Sequence, residues 1–590
     1  MIMMNTRRIL VTRMIVTARI RFVIHFILLC LVGLHSPVWG QDQVSSDGNN
    51  PGAQDPVFAT WQKQKGVTAC GQCHYEAGGG AFAKPNLSFS RQNEMQFWLA
   101  NDKHAIARRR VEPLNVDELK TEMASMLTNP DYGLTTVPAD WFGLSNVLSR
   151  RICDKLGYDV TKPEGYAMFR NNCLTCHGGY RGESDNVDFA KDGGAQPGIS
   201  CNYCHQIDNN TDWVQKHGVQ GAEKEWRNLP PDQKAAAGMR DLVNVEIQAA
   251  NCYDCHIGNR DKNMFVSHVM YAAGHPPLPG IELQTFCSSM PQHWQNESTL
   301  YQSMVDFAGR DEYYQKNFPG LFGDDSSNTL TPANTYWNTR KIIAGALAAR
   351  LQTVNLLLTS TSEERWADYS LYDCAACHHE LREPSQRQSR GYVGAPGRPR
   401  QLEWPEALQS VALDAAGDDL RLSIDQLEAK LAATFSQSPF GVPAVVAPVA
   451  TELQAQLQAA IGRIQGKPIG AADARDVIRQ LALTPKDKLL VYDSARQVVW
   501  AIQSIAGELS AAGEPLPDEL AAKIAALSDV SKTGIEATLP AGRQVFIYPE
   551  NLNAELNRKA AFNSEELARM LGEVASTIVV QPKVPAVAIR

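Results

Sequence analysis

Asn171-Asn172-Cys173-Leu174-Thr175-Cys176-His177, Gly198-Ile199-Ser200-Cys201-Asn202-Tyr203-Cys204-His205 and Asn251-Cys252-Tyr253-Asp254-Cys255-His256 share one signature, Cys-x-x-Cys-His. Two further copies stand outside this group, Cys70/Cys73/His74 and Cys374/Cys377/His378, making five. Two thiols at this spacing match the two vinyl groups of one haem, and the adjacent histidine matches its axial position. A zinc knuckle joins two cysteine half-sites and does not require histidine directly after the second cysteine. Here histidine follows it in every copy. Ten cysteines are thus candidates for five covalent haem c groups, with His74, His177, His205, His256 and His378 as the first iron ligands.

The first cysteines fall at 70, 173, 201, 252 and 374, intervals too uneven for a tandem repeat. Residues 56–400 hold all five motifs and are expected to be a loop-rich pentahaem cytochrome c domain whose interior is filled by haems as much as by side chains. Leu347, Leu351, Val354 and Leu358 mark an amphipathic helix just before the fifth motif. A stretch rich in Pro, Gly and Arg (383–404) then marks a boundary, and its Arg387, Arg390, Arg398 and Arg400 either neutralise haem propionates or form a solvated linker. Residues 401–590 contain no cysteine and no histidine. Their stripes Leu420/Ile424/Leu427/Leu431, Leu453/Leu457/Ile461 and Val491/Ala495/Val498/Ile502/Ile505/Leu509 predict helices, and Asn563 reads as the N-cap of one more. The fold class expected is therefore mainly α, a multihaem domain followed by an all-helical C-terminal domain. That second domain reads as a structural cap or as a docking module.

Residues 1–40 read as a signal peptide. Five arginines and no acidic residue precede the apolar stretch 22–34, and Val38-Trp39-Gly40 offers a cleavage site. The apolar stretch is shorter than the ~20 residues of a usual membrane span, and an uncleaved anchor is the alternative. Export to the periplasm or cell envelope suits covalent haem and the cysteine content. Residues 41–55 read as a disordered polar linker. Cleavage removes five arginines and takes the formal charge from −8 to −13. That balance argues against nucleic acid as a partner and favours redox proteins that present basic patches. Outside the motifs and the signal only Cys153 and Cys287 remain, either paired or as two buried thiols.

Each haem offers a second axial position. Past the signal, six histidines lie outside the motifs: His104, His217, His268, His275, His293 and His379. Five are expected to be distal iron ligands, and His379, next to His378, is the least suited. Met264, Met270 and Met290 are the other thinkable ligands, although methionine more often packs.

The segments from Trp98 to His104, GISCNYCH (198–205) with Trp213 and His217, and NCYDCHIG (251–258) with His268 and AAGHPPL (272–278) resemble the tetrahaem cytochrome c family that accepts electrons from hydroxylamine oxidoreductase. The resemblance covers roughly residues 60–300. It implies closely stacked, mostly bis-histidine haems in a helical, loop-rich body, and distal roles for His104, His217, His275 and His268. That family also has a haem lacking a sixth ligand. The fifth motif and the long helical tail depart from it. The expected function is electron transfer by an exported pentahaem cytochrome. Docking through its tail to a membrane or cell-surface redox complex is compatible with that reading. The alternative is a multihaem oxidoreductase acting on a small nitrogen or sulfur compound at one open haem, although the lysine that marks the active haem of pentahaem nitrite reductases is absent from all five motifs.

Overall fold

The computed structural model describes residues 74, 94–113, 139–179, 198–207, 213, 216–217, 223–291, 293–294, 316–317, 336–362, 366–378, 381, 383, 398–465, 467–528, 535–538, 544–547 and 562–578. By contacts the chain forms two units, Met1–Gln54 and Asp55–Arg590, and every described residue belongs to the second. The signal and linker (1–55), Cys70, Cys73, His379, Arg387 and Arg390 lie outside the described residues.

The described part is mainly helical. We number α1 Glu94–Asn101, α2 Ala139–Leu156, α3 Pro163–His177, α4 Cys201–His205, α5 Val245–His256, α6 His268–Ala273, α7 Leu283–Ser289 and α8 Trp337–Thr361. After the Pro-rich stretch come α9 Gln409–Ala416, α10 Asp418–Gln437, α11 Pro443–Ile464, α12 Ala471–Ala482, α13 Tyr492–Ala511, α14 Asp518–Ala526 and α15 Ser564–Thr577.

Three of the motifs end helices. Pro163 at the first turn pre-sets φ for α3, which stops at His177 where Gly178 returns its N–H to the Leu174 carbonyl. Asn244 caps α5 by accepting the N–H groups of Glu246 and Ile247, and α5 stops at His256. The whole of α4 is the third motif. In a helix, positions i, i+3 and i+4 share a face, so both cysteines and the histidine point the same way. The fifth motif instead starts in a short 3-10 turn, Cys374–Ala376.

The central element is α8. Its length and hydropathy match a membrane span, yet most of that apolar window is buried inside the fold. Ile342, Ile343, Ala346, Leu347, Ala348 and Val354 are all buried, so burial is wider than the single face that the leucine spacing predicts. Packing on several sides is the reason: α5 and α7 lie against α8 together with α9, α11 and α13. One apolar core consequently runs from Val245 to Val574, across the stretch at 383–404. Truncating a fully buried leucine such as Leu347 would cost about 2–5 kcal/mol. At Gly345 a Cβ would lie 2.8 Å from the Leu283 Cβ, and the Tyr253 hydroxyl donates to the Gly345 carbonyl at 3.2 Å. The helix carrying the fourth motif is thereby fastened to α8.

A buried ion cluster ties α8 to the C-terminal helices. Arg350, 2% exposed at its side chain, meets Glu406 at 3.0 Å and holds Glu428 through Nε at 2.8 Å and again through Nη2. Gln409 donates to the same Glu428 at 3.0 Å. The C-terminal region departs from the all-helical expectation at one place: β1 Ile535–Thr538 pairs antiparallel with β2 Gln544–Ile547. Both runs are rich in β-branched or apolar residues and are separated by Pro540 and Gly542, which suits a hairpin more than a helix.

Candidate functional site

Each motif histidine faces one histidine from elsewhere in the chain. Ring centres are 6.4 Å apart for His74 and His217, 6.2 Å for His256 and His104, and 6.5 Å for His177 and His275. They are 6.3 Å apart for His205 and His293, and 6.3 Å for His378 and His268. Among the described residues no histidine is used twice.

These spacings have a chemical meaning. An imidazole nitrogen lies about 1.1 Å from its ring centre and about 2.0 Å from a metal it ligates, so two rings on opposite sides of one metal stand about 6.2 Å apart. Direct stacking would bring the rings closer, as Trp213 does on His217 at 4.9 Å. Among the described residues no three His, Cys, Asp or Glu side chains gather into a metal cage. A haem needs none, because the porphyrin supplies four of the six iron ligands and the protein two. The spacing of the histidine pairs therefore fits two axial ligands on one haem iron.

Hydrogen bonding sets the rings up for this. His217 Nδ1 lies 2.8 Å from the Trp213 carbonyl, and His275 Nδ1 lies 2.6 Å from the Pro276 carbonyl. A carbonyl only accepts, so both Nδ1 atoms carry the proton and leave the Nε2 lone pair for a metal. His74 Nδ1 pairs with Glu94 and His104 Nδ1 with Asp102, each at 2.9 Å. Burial pushes the pKa of His205 down to about 3 and of His256 down to about 4, and lowers that of His275, so these rings stay neutral and able to ligate. At His104 burial pulls the same way, but the Asp102 hydrogen bond and charge outweigh it and hold the pKa above its ordinary value.

Short segments deliver these rings. Asp102 caps the turn Lys103–Ile106 and accepts the His104 backbone N–H. That turn is locked to the third motif, since Ile199 donates its N–H to the His104 carbonyl at 2.8 Å. Ser267 caps α6, which carries His268 at its start, and His275 follows two residues after its end. One six-residue helix thus serves both the fifth and the second motifs. Cys176, Cys204 and Cys255 pack around Ile199, Tyr203 and Met264, which brings the second, third and fourth motifs together. Cys201 packs against Trp98 of α1, whose Glu94 holds His74, linking third to first.

The fifth motif is more open than the second, third and fourth. Cys374 and Cys377 are exposed, and so is His378, whereas the six cysteines of the second, third and fourth motifs are half-buried. The physical reason is local. No packed helix carries this motif: after the turn Cys374–Ala376 the chain bends at Cys377, whose backbone N–H donates to the Cys374 carbonyl at 3.2 Å. The His378 N–H donates to the same carbonyl at 2.7 Å, so the two cysteines and the histidine still gather around one short turn. Cys377 therefore keeps the spacing of an attachment point but lies at the surface.

Met264 accepts a hydrogen bond from the Tyr203 hydroxyl at 3.2 Å and is fully buried, a packing role beside paired histidines. No disulfide joins Cys153 to Cys287: Cys153 packs with Phe169 and Leu174, and Cys287 belongs to the large core. Arg398 donates to the Ser436 carbonyl and Arg400 pairs with Glu403, so both tie down the linker. The C-terminal helices reach two pairs through aromatic rings. Trp500 of α13 stacks edge-on against Phe286, which meets His256, and Phe440 meets Tyr369, which meets His268.

Several of these supporting groups have no motif of their own. Asp102 was detectable as an acidic N-cap two residues before a histidine. Glu94, Gly198 and the carbonyls of Trp213 and Pro276 act through tertiary or backbone contacts that no sequence pattern announces. Comparison with protein-family models, curated proteins and solved structures finds no match to this chain.

Proposed function

We propose that this chain is an exported pentahaem c-type cytochrome that carries electrons through closely grouped bis-histidine haems. The observation that carries this reading is the one-to-one pairing of five motif histidines with five others, at ring separations of 6.2 to 6.5 Å. When bound, a haem iron supplies one-electron chemistry, cycling between ferric and ferrous states without exchanging ligands. The chain's own residues do the rest. His104, His217, His268, His275 and His293 close the distal positions, which leaves no coordination site for a small substrate and favours electron transfer over an oxidoreductase with an open haem. The carboxylates and carbonyls behind them fix ring orientation and tautomer.

The shared elements support one order of sites: fifth to second through α6, second to fourth and third through the cysteine cluster, and third to first through α1. The C-terminal helices favour the structural-cap reading, because they share the core with α8 and back two of the histidine pairs. The acidic chain suits redox partners with basic patches, and resemblance to an electron-accepting tetrahaem family points the same way. Export is part of the proposal, since covalent haem attachment and a leader-like N-terminus belong together.

The test is the haem content and intact mass of the purified protein. Five covalent haems per chain are expected. Zinc in place of haem, or fewer than five haems, would refute the reading.

A further inference from the structure

We propose that Asp102 sets the reduction potential of the haem held between His104 and His256, lowering it through a buried negative charge on the distal ligand; this rests on the haem reading above. The Asp102 residue is 3% exposed. Its Oδ1 accepts both the backbone N–H and the Nδ1–H of His104, each at 2.9 Å. Its Oδ2 is buried and has no hydrogen-bond partner among the described residues. Its charge also acts on His293 and Cys204 of the third site. A buried carboxylate with one oxygen unsatisfied is destabilising unless a neighbouring positive charge offsets it.

A bis-imidazole haem core carries one positive charge in the ferric state and none in the ferrous state. An adjacent fixed anion therefore stabilises the ferric form and lowers the potential, more so where the dielectric is low. The same carboxylate makes the imidazole a stronger donor through Nδ1, in the same direction. The distal rings His217 and His275 lean on neutral backbone carbonyls instead, so neither of these two ligands carries this bias. Glu94 repeats the arrangement at His74, but its side chain is 18% exposed and solvent screens it more.

Asp102→Asn keeps the size and an accepting oxygen while removing the charge. Spectroelectrochemical titration of the full holoprotein is expected to show one component shifted toward the reduced state about tenfold, or about 59 mV for one electron. Glu94→Gln is expected to shift a different component by less. Asp102→Asn protein with five haems and an unchanged titration overturns the proposal. If that variant does not mature, Glu94→Gln decides: one component raised sustains the role of the buttressing carboxylates, and none raised overturns it. Fewer than five haems in the unmodified protein would instead sink the haem reading, a failure seen before any titration.

Discussion

The backbone N–H of Ile199 donates to the carbonyl of His104 at 2.8 Å, so the segment leading into the third motif fixes the turn that presents His104 to His256 of the fourth. The contact works only because residue 198 lacks a side chain. A Cβ on Gly198 would lie 2.0 Å from the His104 carbonyl oxygen and 2.6 Å from the Ala105 carbonyl, both backbone atoms that cannot swing aside. Gly198→Ala is therefore expected to push the turn away and withdraw His104. The reduced variant should bind about one carbon monoxide per chain where the unmodified protein binds none. An unaltered spectrum under carbon monoxide would show that this contact does not hold the ligand.

The pairing makes a stoichiometric prediction for α6. His268→Ala should open the fifth-motif haem alone, and His275→Ala the second-motif haem alone. The double variant should open two. Carbon monoxide titration of the three reduced proteins checks this, and a single variant that opens two irons would break the assignment. His379→Ala should open none, because all five motif histidines already have partners.

Arg350 is a buried cation joining α8 to the C-terminal helices. Arg350→Met leaves the half-buried Glu406 and Glu428 without their cation and should cost about 1–3 kcal/mol, read as a lowered denaturation midpoint. Adding Glu406→Gln and Glu428→Gln should recover most of that loss. For Glu428, burial raises the pKa, but the Arg350 charge and hydrogen bonds outweigh it and hold the carboxyl below its ordinary value. A group depressed in this way stabilises the fold above its unfolded pKa, and the contribution fades as pH falls through the folded value. The unmodified protein should thus lose stability in acid more steeply than Glu428→Gln.

Much of this was legible in the sequence, and the limits have physical causes. The Cys-x-x-Cys-His spacing is local chemistry, so the motifs could be read directly and their histidines put forward as first ligands. That same spacing says nothing of burial, and the exposure of Cys374 and Cys377 follows from the turn that carries them. The stock of distal histidines could be counted, but their pairing could not. His268 opens one short helix and His275 follows its end, yet they turn to different motifs, which only tertiary packing decides. The leucine spacing located α8 but understated its burial, since alanines and isoleucines on its other faces pack as well. The strand pair 535–538 and 544–547 was hidden by its helical surroundings. Helix patterning in the C-terminal region was clear, whereas its contact with the histidine pairs runs through Phe286 and Tyr369, which belong to the other part of the chain.

Electron paramagnetic resonance of the fully oxidised protein tests the central claim most directly. Near-parallel axial imidazoles split the iron π orbitals and give rhombic low-spin signals, whereas near-perpendicular ones leave them almost degenerate and give strongly anisotropic, large-gmax signals. The planes of the His74/His217 and His268/His378 pairs meet at 27° and 24°, and those of His104/His256 and His205/His293 at 78° and 77°. The expected spectrum is wholly low-spin, with two rhombic and two large-gmax species and His177/His275, at 55°, between them. A high-spin ferric signal amounting to one iron per chain would contradict the account, because at least one of the five pairs would then not close its haem.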